Sequence, residues 1–257
     1  MAKERIDFLM EKLQFVIVLI IGILTGSFAT LVGGGALINI PLLIFLGLPP
    51  QAAIGTNKLG ALGVNLAGWY KFHQKRLIDY RIGSVLAIPL MIGTVFGANL
   101  VLQINEEMLR RIIAILTLLF LIFIVIEPKV GVERTGPDMR RREYLIGGTL
   151  ALFLGVYSGF YGAGTGTFLS YMLVLLFGQT FLETAATRKM PHVFSAVMGI
   201  AVFAMHGMIV YSLGTALFIG TFIGSYIGAH YSDRIGNVWI KRLFSIIVFI
   251  IAIKLII

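Results

Sequence analysis

The chain has 257 residues, of which 58% are apolar, with a mean hydropathy of +0.94 and a formal net charge of +9. This composition excludes a soluble domain: apolar runs such as 82–102, 112–126 and 238–257 approach or exceed the roughly 20 residues a bilayer span needs. Basic residues gather between the apolar runs, as membrane topology requires and nucleic-acid binding does not, and the lack of cysteine rules out disulfides and thiolate metal sites.

A first apolar run, 15–32, enters Gly33-Gly34-Gly35 and a shorter one, 36–48, leaves it. No small-x-small cleavage pattern follows the first run, so it reads as part of the mature protein and not as a signal peptide. Three consecutive glycines cost a helix roughly 1 kcal/mol each against alanine, so the helix breaks here. At membrane depth the freed backbone groups must be buried by protein or line a wet cavity. The run that follows then starts a helix whose free N–H groups and positive dipole end suit an anion.

The chain repeats itself. Gly26, Gly33, Gly34 and Gly35 align with Gly155, Gly162, Ala163 and Gly164 at an offset of 129. After a two-residue gain the offset is 131: Thr56-Asn57-Lys58 falls on Thr187-Arg188-Lys189, Gly68 on Gly199, Gly83 on Gly214, and Gly93 and Gly97 on Gly224 and Gly228. Each half reads as about five apolar segments: 14–32, 36–48, 52–72, 80–102 and 108–126, then 145–161, 165–177, 186–206, 211–230 and 238–257. The units are a first transmembrane repeat, 1–126, a basic linker, 127–143, and a second transmembrane repeat, 144–257.

Charge orients the halves. The linker carries Lys129, Arg134, Arg140, Arg141 and Arg142, which places it in the cytoplasm. The loop between the third and fourth segments holds Lys71, Lys75, Arg76 and Arg81 in the first half, whereas its counterpart, 206–211, has no Lys or Arg. Equivalent loops on opposite sides imply inverted topology, with both termini outside. Five crossings per half satisfy this, as do three crossings plus a re-entrant hairpin. The expected fold is an all-α integral membrane protein of two inverted repeats, with broken or re-entrant short helices at the glycine-rich motifs.

Inverted repeats broken at corresponding positions point to a transporter's midplane site. The candidate binding residues are Gly33, Gly34 and Gly35 in the first break and Gly162, Gly164, Thr165 and Thr167 in the second. To these are added Thr56, Asn57 and Lys58, and Thr187, Arg188 and Lys189, near the start of each third segment. Charge inside an apolar span costs at least about 2.5 kcal/mol and is a functional-site hypothesis by default; the bland alternative is a lysine that snorkels to the interface. Basic groups, threonine hydroxyls and two helix starts suit a small oxyanion. His192, one turn past Arg188, is a candidate for proton coupling, against the plainer role of a packing histidine. Gly93, Gly97, Gly224 and Gly228 read as helix-packing glycines. The sequence has no H-E-x-x-H, no G-x-S-x-G and no carboxylate pair, so neither an enzyme nor a metal or other cofactor is expected.

At these residues the chain resembles the sulfite exporter TauE/SafE family of membrane transport proteins. The resemblance rests on Gly-Gly-Gly-x-Leu-x-x-x-Pro at 33–41, on Ala-x-Gly-Thr-Asn-Lys at 53–58 and on the degenerate second copy, and it covers essentially the whole chain. It implies export of sulfite, an organosulfonate or a related small anion across the bacterial cytoplasmic (inner) membrane. The partners would be that anion and membrane lipid, with a homodimer left open. Rocking of one half on the other would alternate access. A passive anion channel or a transporter of another small anion would use the same residues. Asn57 is matched by Arg188, so the two half-sites are not equivalent.

Overall fold

The computed structural model describes residues 2–126 and 141–232. Expected segment 238–257 and linker residues 127–140 lie outside the described residues. Among those described, the regular structure is helical throughout: α1 (Ala2–Ala29), α2 (Ala36–Phe45), α3 (Pro50–Gln74), α4 (Tyr80–Leu102), α5 (Glu106–Ile126), α6 (Arg141–Phe160), α7 (Thr165–Phe177), α8 (Phe181–Thr187), α9 (Lys189–Met205) and α10 (Tyr211–His230).

Local chemistry sets these boundaries. Gly33 and Gly34 take φ of +91° and +80°, a region costly for residues with a Cβ, and stop the chain after α1. Gly162 and Gly164, at +82° and +80°, do the same after α6. Pro50 opens α3, where its missing N–H is not needed. Asp79 Oδ1 caps α4 by accepting from Ile82 N at 3.0 Å. Thr180 and Glu183 form a reciprocal capping box that starts α8. The third segment of the second half, expected at 186–206, is α9, which begins just past Arg188, and the short α8 precedes it. Pro191 has no N–H to offer the Thr187 carbonyl four residues back, so the ladder lapses at that turn.

Phe8–Ala29, α4, α6 and α10 are long and apolar enough to cross a membrane, and α7 with α8–α9 forms a further apolar pair bent by 117°. Ten-residue α2 spans only about 15 Å, half a bilayer core. Outward side chains such as Ile88, Phe96, Phe153 and Leu175 are more than 60% exposed, a surface suited to lipid. The chain is therefore an all-helical integral membrane protein.

Glycine ladders decide which helices meet. A Cβ on Gly224 would strike Ile23 and Ser27, and one on Gly228 would strike Ser27 and Thr30, so α1 and α10 lie backbone to backbone and run the same way. Gly93 faces Leu152 and Val156, and Gly97 faces Val156 and Phe160, so α4 and α6 do likewise. Hydroxyls tie α3 to α10, also in parallel: Thr221 Oγ1 donates to the Gly60 carbonyl at 2.8 Å and Ser225 Oγ to that of Val64 at 2.7 Å. Beside α4 runs α9, with Gly83 near Met190 and Thr94 Oγ1 2.7 Å from Ser195 Oγ. The two sets meet where α3 crosses α9 in the opposite direction: Lys58 lies over Gly199, and Lys189 over Gly68.

These contacts separate glycines by consequence. Gly97→Ala drives a methyl into the α6 backbone and should cost about 1–3 kcal/mol. Gly148→Ala, whose Cβ would have only Pro89 within reach, at 3.7 Å, should be neutral or slightly stabilising. Thermal unfolding of the two variants in detergent checks this.

Candidate functional site

The two breaks come together. Thr167 Oγ1 in the first turn of α7 donates to the Val32 carbonyl at 2.7 Å, and a side chain on Gly33 would collide with Thr167. Tyr157 OH donates to the Ala163 carbonyl at 2.7 Å and holds the second break in shape. Between the breaks lies a cavity of about 90 Å³, room for several waters or one small oxyanion.

Gly33, Gly34, Gly35 and Ala36 form one wall of it, and Gly162, Gly164, Thr165 and Gly166 another. The starts of α2 and α7 thus both border the cavity with their positive dipole ends, although Leu37, Ile38, Thr165 and Thr167 already give their N–H groups to the carbonyls of Gly34, Gly35, Gly162 and Gly164. From α3 come Asn57 and Lys58, and from the α8–α9 junction and α9 come Arg188 and His192. Among the described residues the cavity lining contains no Asp or Glu.

Arg188 is only 2% exposed and clamps the end of α1. Its Nη2 donates to the carbonyls of Leu31 at 2.9 Å, Thr30 at 3.1 Å and Ala29 at 3.4 Å, at the negative end of that helix dipole. Its Nη1 lies over Gly166, where any side chain would displace the guanidinium, and its Nε has no partner among the described residues. Lys58, 5% exposed, donates from Nζ to the Ser158 carbonyl. His192 is also buried, and its Nε2 lacks a partner among the described residues.

Four candidates stand outside the cavity lining. Thr56 Oγ1 accepts from Val210 N at 3.0 Å and so holds the start of α10. At the equivalent place Thr187 Oγ1 accepts from Asp79 N at 3.1 Å and holds the start of α4. Thr167 is committed to Val32, as described. Lys189 is fully buried behind the cavity against Gly68, and its Nζ has no partner among the described residues. Conversely, Asn39, Asn65, Ser158, Tyr161 and Ser195 line the cavity but do not belong to either motif. Helical spacing is the signal that would have found some of them: Arg188, His192 and Ser195 stand at i, i+4 and i+7, and Asn65 is seven residues past Lys58 on the same face.

Residues 18–255 match the family described as sulfite exporter TauE/SafE. The chain belongs to that family. It is 31% identical over 238 residues to a probable membrane transporter protein of Haemophilus influenzae, covering 92% of each chain. It is 28% identical over 220 residues to the probable membrane transporter protein YfcA of Escherichia coli, covering 84% of this chain and 79% of that one. A probable membrane transporter protein of Sinorhizobium, ORF9, is 26% identical, with 90% of this chain and 88% of its own covered. No solved structure matches. As a member of this family the protein is a membrane transporter.

Of the interior cations, Lys189 and Arg188 should respond oppositely to removal. Lys189→Met deletes a buried charge with no hydrogen bond and should stabilise the fold, by up to about 4 kcal/mol. Arg188→Met strips the donor from three carbonyls at and just past the end of α1, those of Ala29, Thr30 and Leu31, and should destabilise it by about 1–3 kcal/mol or more. Melting temperatures in one detergent compare them directly.

Proposed function

We propose that the protein is a secondary transporter that exports a small sulfur-containing anion, of the sulfite or organosulfonate type, across the bacterial cytoplasmic membrane. The observation that carries this is the cavity's charge: Lys58 and Arg188 border it, Lys189 stands behind it, and among the described residues no carboxylate lines it. Uncompensated buried cations are costly, and a bound anion is the group that offsets them. The helix starts after Gly35 and Gly164 add N–H donors, with Asn57 beside Lys58. The remaining motif threonines, Thr56, Thr167 and Thr187, act by holding the elements that form the cavity.

In this reading the two halves are inverted repeats that alternate access to the cavity. Helix direction supports the inversion: α1 and α3 run one way and their counterparts α6 and α9 the other, and α4 and α10 are likewise opposed. The paired threonine clasps support it too, since Thr56 holds Val210 and Thr187 holds Asp79 at the same offset of 131. The linker 127–143 then faces the cytoplasm and both termini face outside. Export of an anion from an inside-negative cell is downhill by about 2.3 kcal/mol per charge per 100 mV, so the cycle needs no coupling ion. His192 is the group placed to carry a proton if one is moved.

Purified protein in liposomes should show saturable counterflow with at least one of sulfite, thiosulfate, sulfoacetate, taurine and sulfate. Lys58→Ala and Arg188→Ala should each raise the half-saturating concentration by about tenfold or more, the loss of one charge-assisted contact. Flux without counterflow would identify a channel. Binding of none of these anions would remove the reading altogether.

A further inference from the structure

The hydrogen-bond directions in the cavity wall define the ligand more closely, on the footing of the anion reading above. A hydroxyl has one proton and donates once. Four hydroxyls line the cavity, those of Ser158, Tyr161, Thr165 and Ser195, and each has its proton committed within the protein. Thr94 Oγ1 donates to the Leu90 carbonyl at 2.8 Å, so in its 2.7 Å contact with Ser195 the serine is the donor. With Ser195 already donating, its 3.2 Å contact with Ser158 uses the proton of Ser158. Thr117 donates to the Ile113 carbonyl at 2.7 Å and therefore accepts from Tyr161 at 2.6 Å. Thr165 donates to the Gly162 carbonyl at 2.9 Å.

The amides add to this set. Asn65 gives an Nδ2 proton to the Ala61 carbonyl at 2.7 Å, which leaves its Oδ1 as an acceptor. Asn57, beside Lys58, brings a second amide to the lining. The hydroxyls and Asn65 Oδ1 offer lone pairs to whatever fills the cavity, while Lys58, Arg188 and the remaining amide N–H groups offer protons. A fully deprotonated oxyanion satisfies the donors and is repelled by the lone pairs. An oxyanion that keeps one proton satisfies both.

We infer that the cavity selects an oxyanion in its singly protonated form, which for sulfite is hydrogensulfite, with the ligand's own O–H donating to this acceptor set. Sites built to hydrogen-bond a ligand O–H discriminate strongly against analogues that lack it.

Chlorate supplies the control: like hydrogensulfite it is a pyramidal monoanion of four heavy atoms, but it carries no proton at any relevant pH. The titratable and charged groups facing the cavity are Lys58, Arg188, His192 and Tyr161, with Lys189 behind them, and their titration acts on both ions alike. Calorimetry on the purified protein at about pH 6 and about pH 8 should show sulfite affinity rising toward the lower pH relative to chlorate. At the lower pH sulfite should bind at least about tenfold more tightly than chlorate. Ser195→Ala releases the Ser158 proton toward the cavity and should strengthen chlorate binding, narrowing that ratio; a purely structural role for Ser195 would weaken both ions together. Equal affinity for chlorate and sulfite, or sulfite binding that improves at the higher pH, would overturn the inference while leaving the anion site standing. No binding of either ion would instead remove the anion reading itself.

Discussion

The arrangement depends on one expense: three basic side chains sunk into the interior of a helical membrane protein, at or behind a cavity that no carboxylate lines among the described residues. Each cation meets it differently. Lys58 leans on a main-chain carbonyl of α6, and Arg188 spreads one nitrogen across three carbonyls at the end of α1. Lys189 does neither. A fold that tolerates this has a reason to keep it, and a negatively charged cargo is the reason the cavity supports.

Glycine makes the arrangement geometrically feasible. Left-handed turns at Gly33, Gly34, Gly162 and Gly164 redirect the chain within the protein, which brings two helix starts to one cavity. Elsewhere the absence of a Cβ makes room for a charge instead of a turn: Gly166 under the guanidinium of Arg188, Gly199 under the stem of Lys58, and Gly68 under that of Lys189. The same residue type thus builds the backbone path and houses the cations along it.

Much of this was legible in the chain alone. The repeat, the apolar segments, the two breaks and the cationic motifs follow from composition and spacing, because glycine runs and intramembrane charge are costly enough to leave a mark. The roles within the motifs were less legible. Thr56 and Thr187 look like ligands in sequence, yet each accepts a backbone N–H from a helix more than 100 residues away, a contact no local pattern encodes. Ser158 and Ser195 were overlooked because single serines in apolar helices are common and usually bond their own backbone. What distinguishes them is a chain of donors that exists only once α4, α6 and α9 have packed. Helix α8 falls largely between the expected segments 165–177 and 186–206, and the Thr180–Glu183 capping pair is its one local signal.

The ladders also settle which parts of the molecule can move as units. Backbone-to-backbone contact locks α1 to α10 and α4 to α6, and hydroxyl bridges add α3 to the first pair and α9 to the second. Each resulting bundle draws helices from both halves of the sequence, α10 joining α1 and α3, and α4 joining α6 and α9. The seam between bundles is the α3–α9 crossing, where pliable lysine methylenes, and not rigid peptide groups, fill the glycine notches. That seam also passes the cavity, which Lys58 lines and Lys189 does not reach, so the least rigid contact between the two sets is the one nearest the open space.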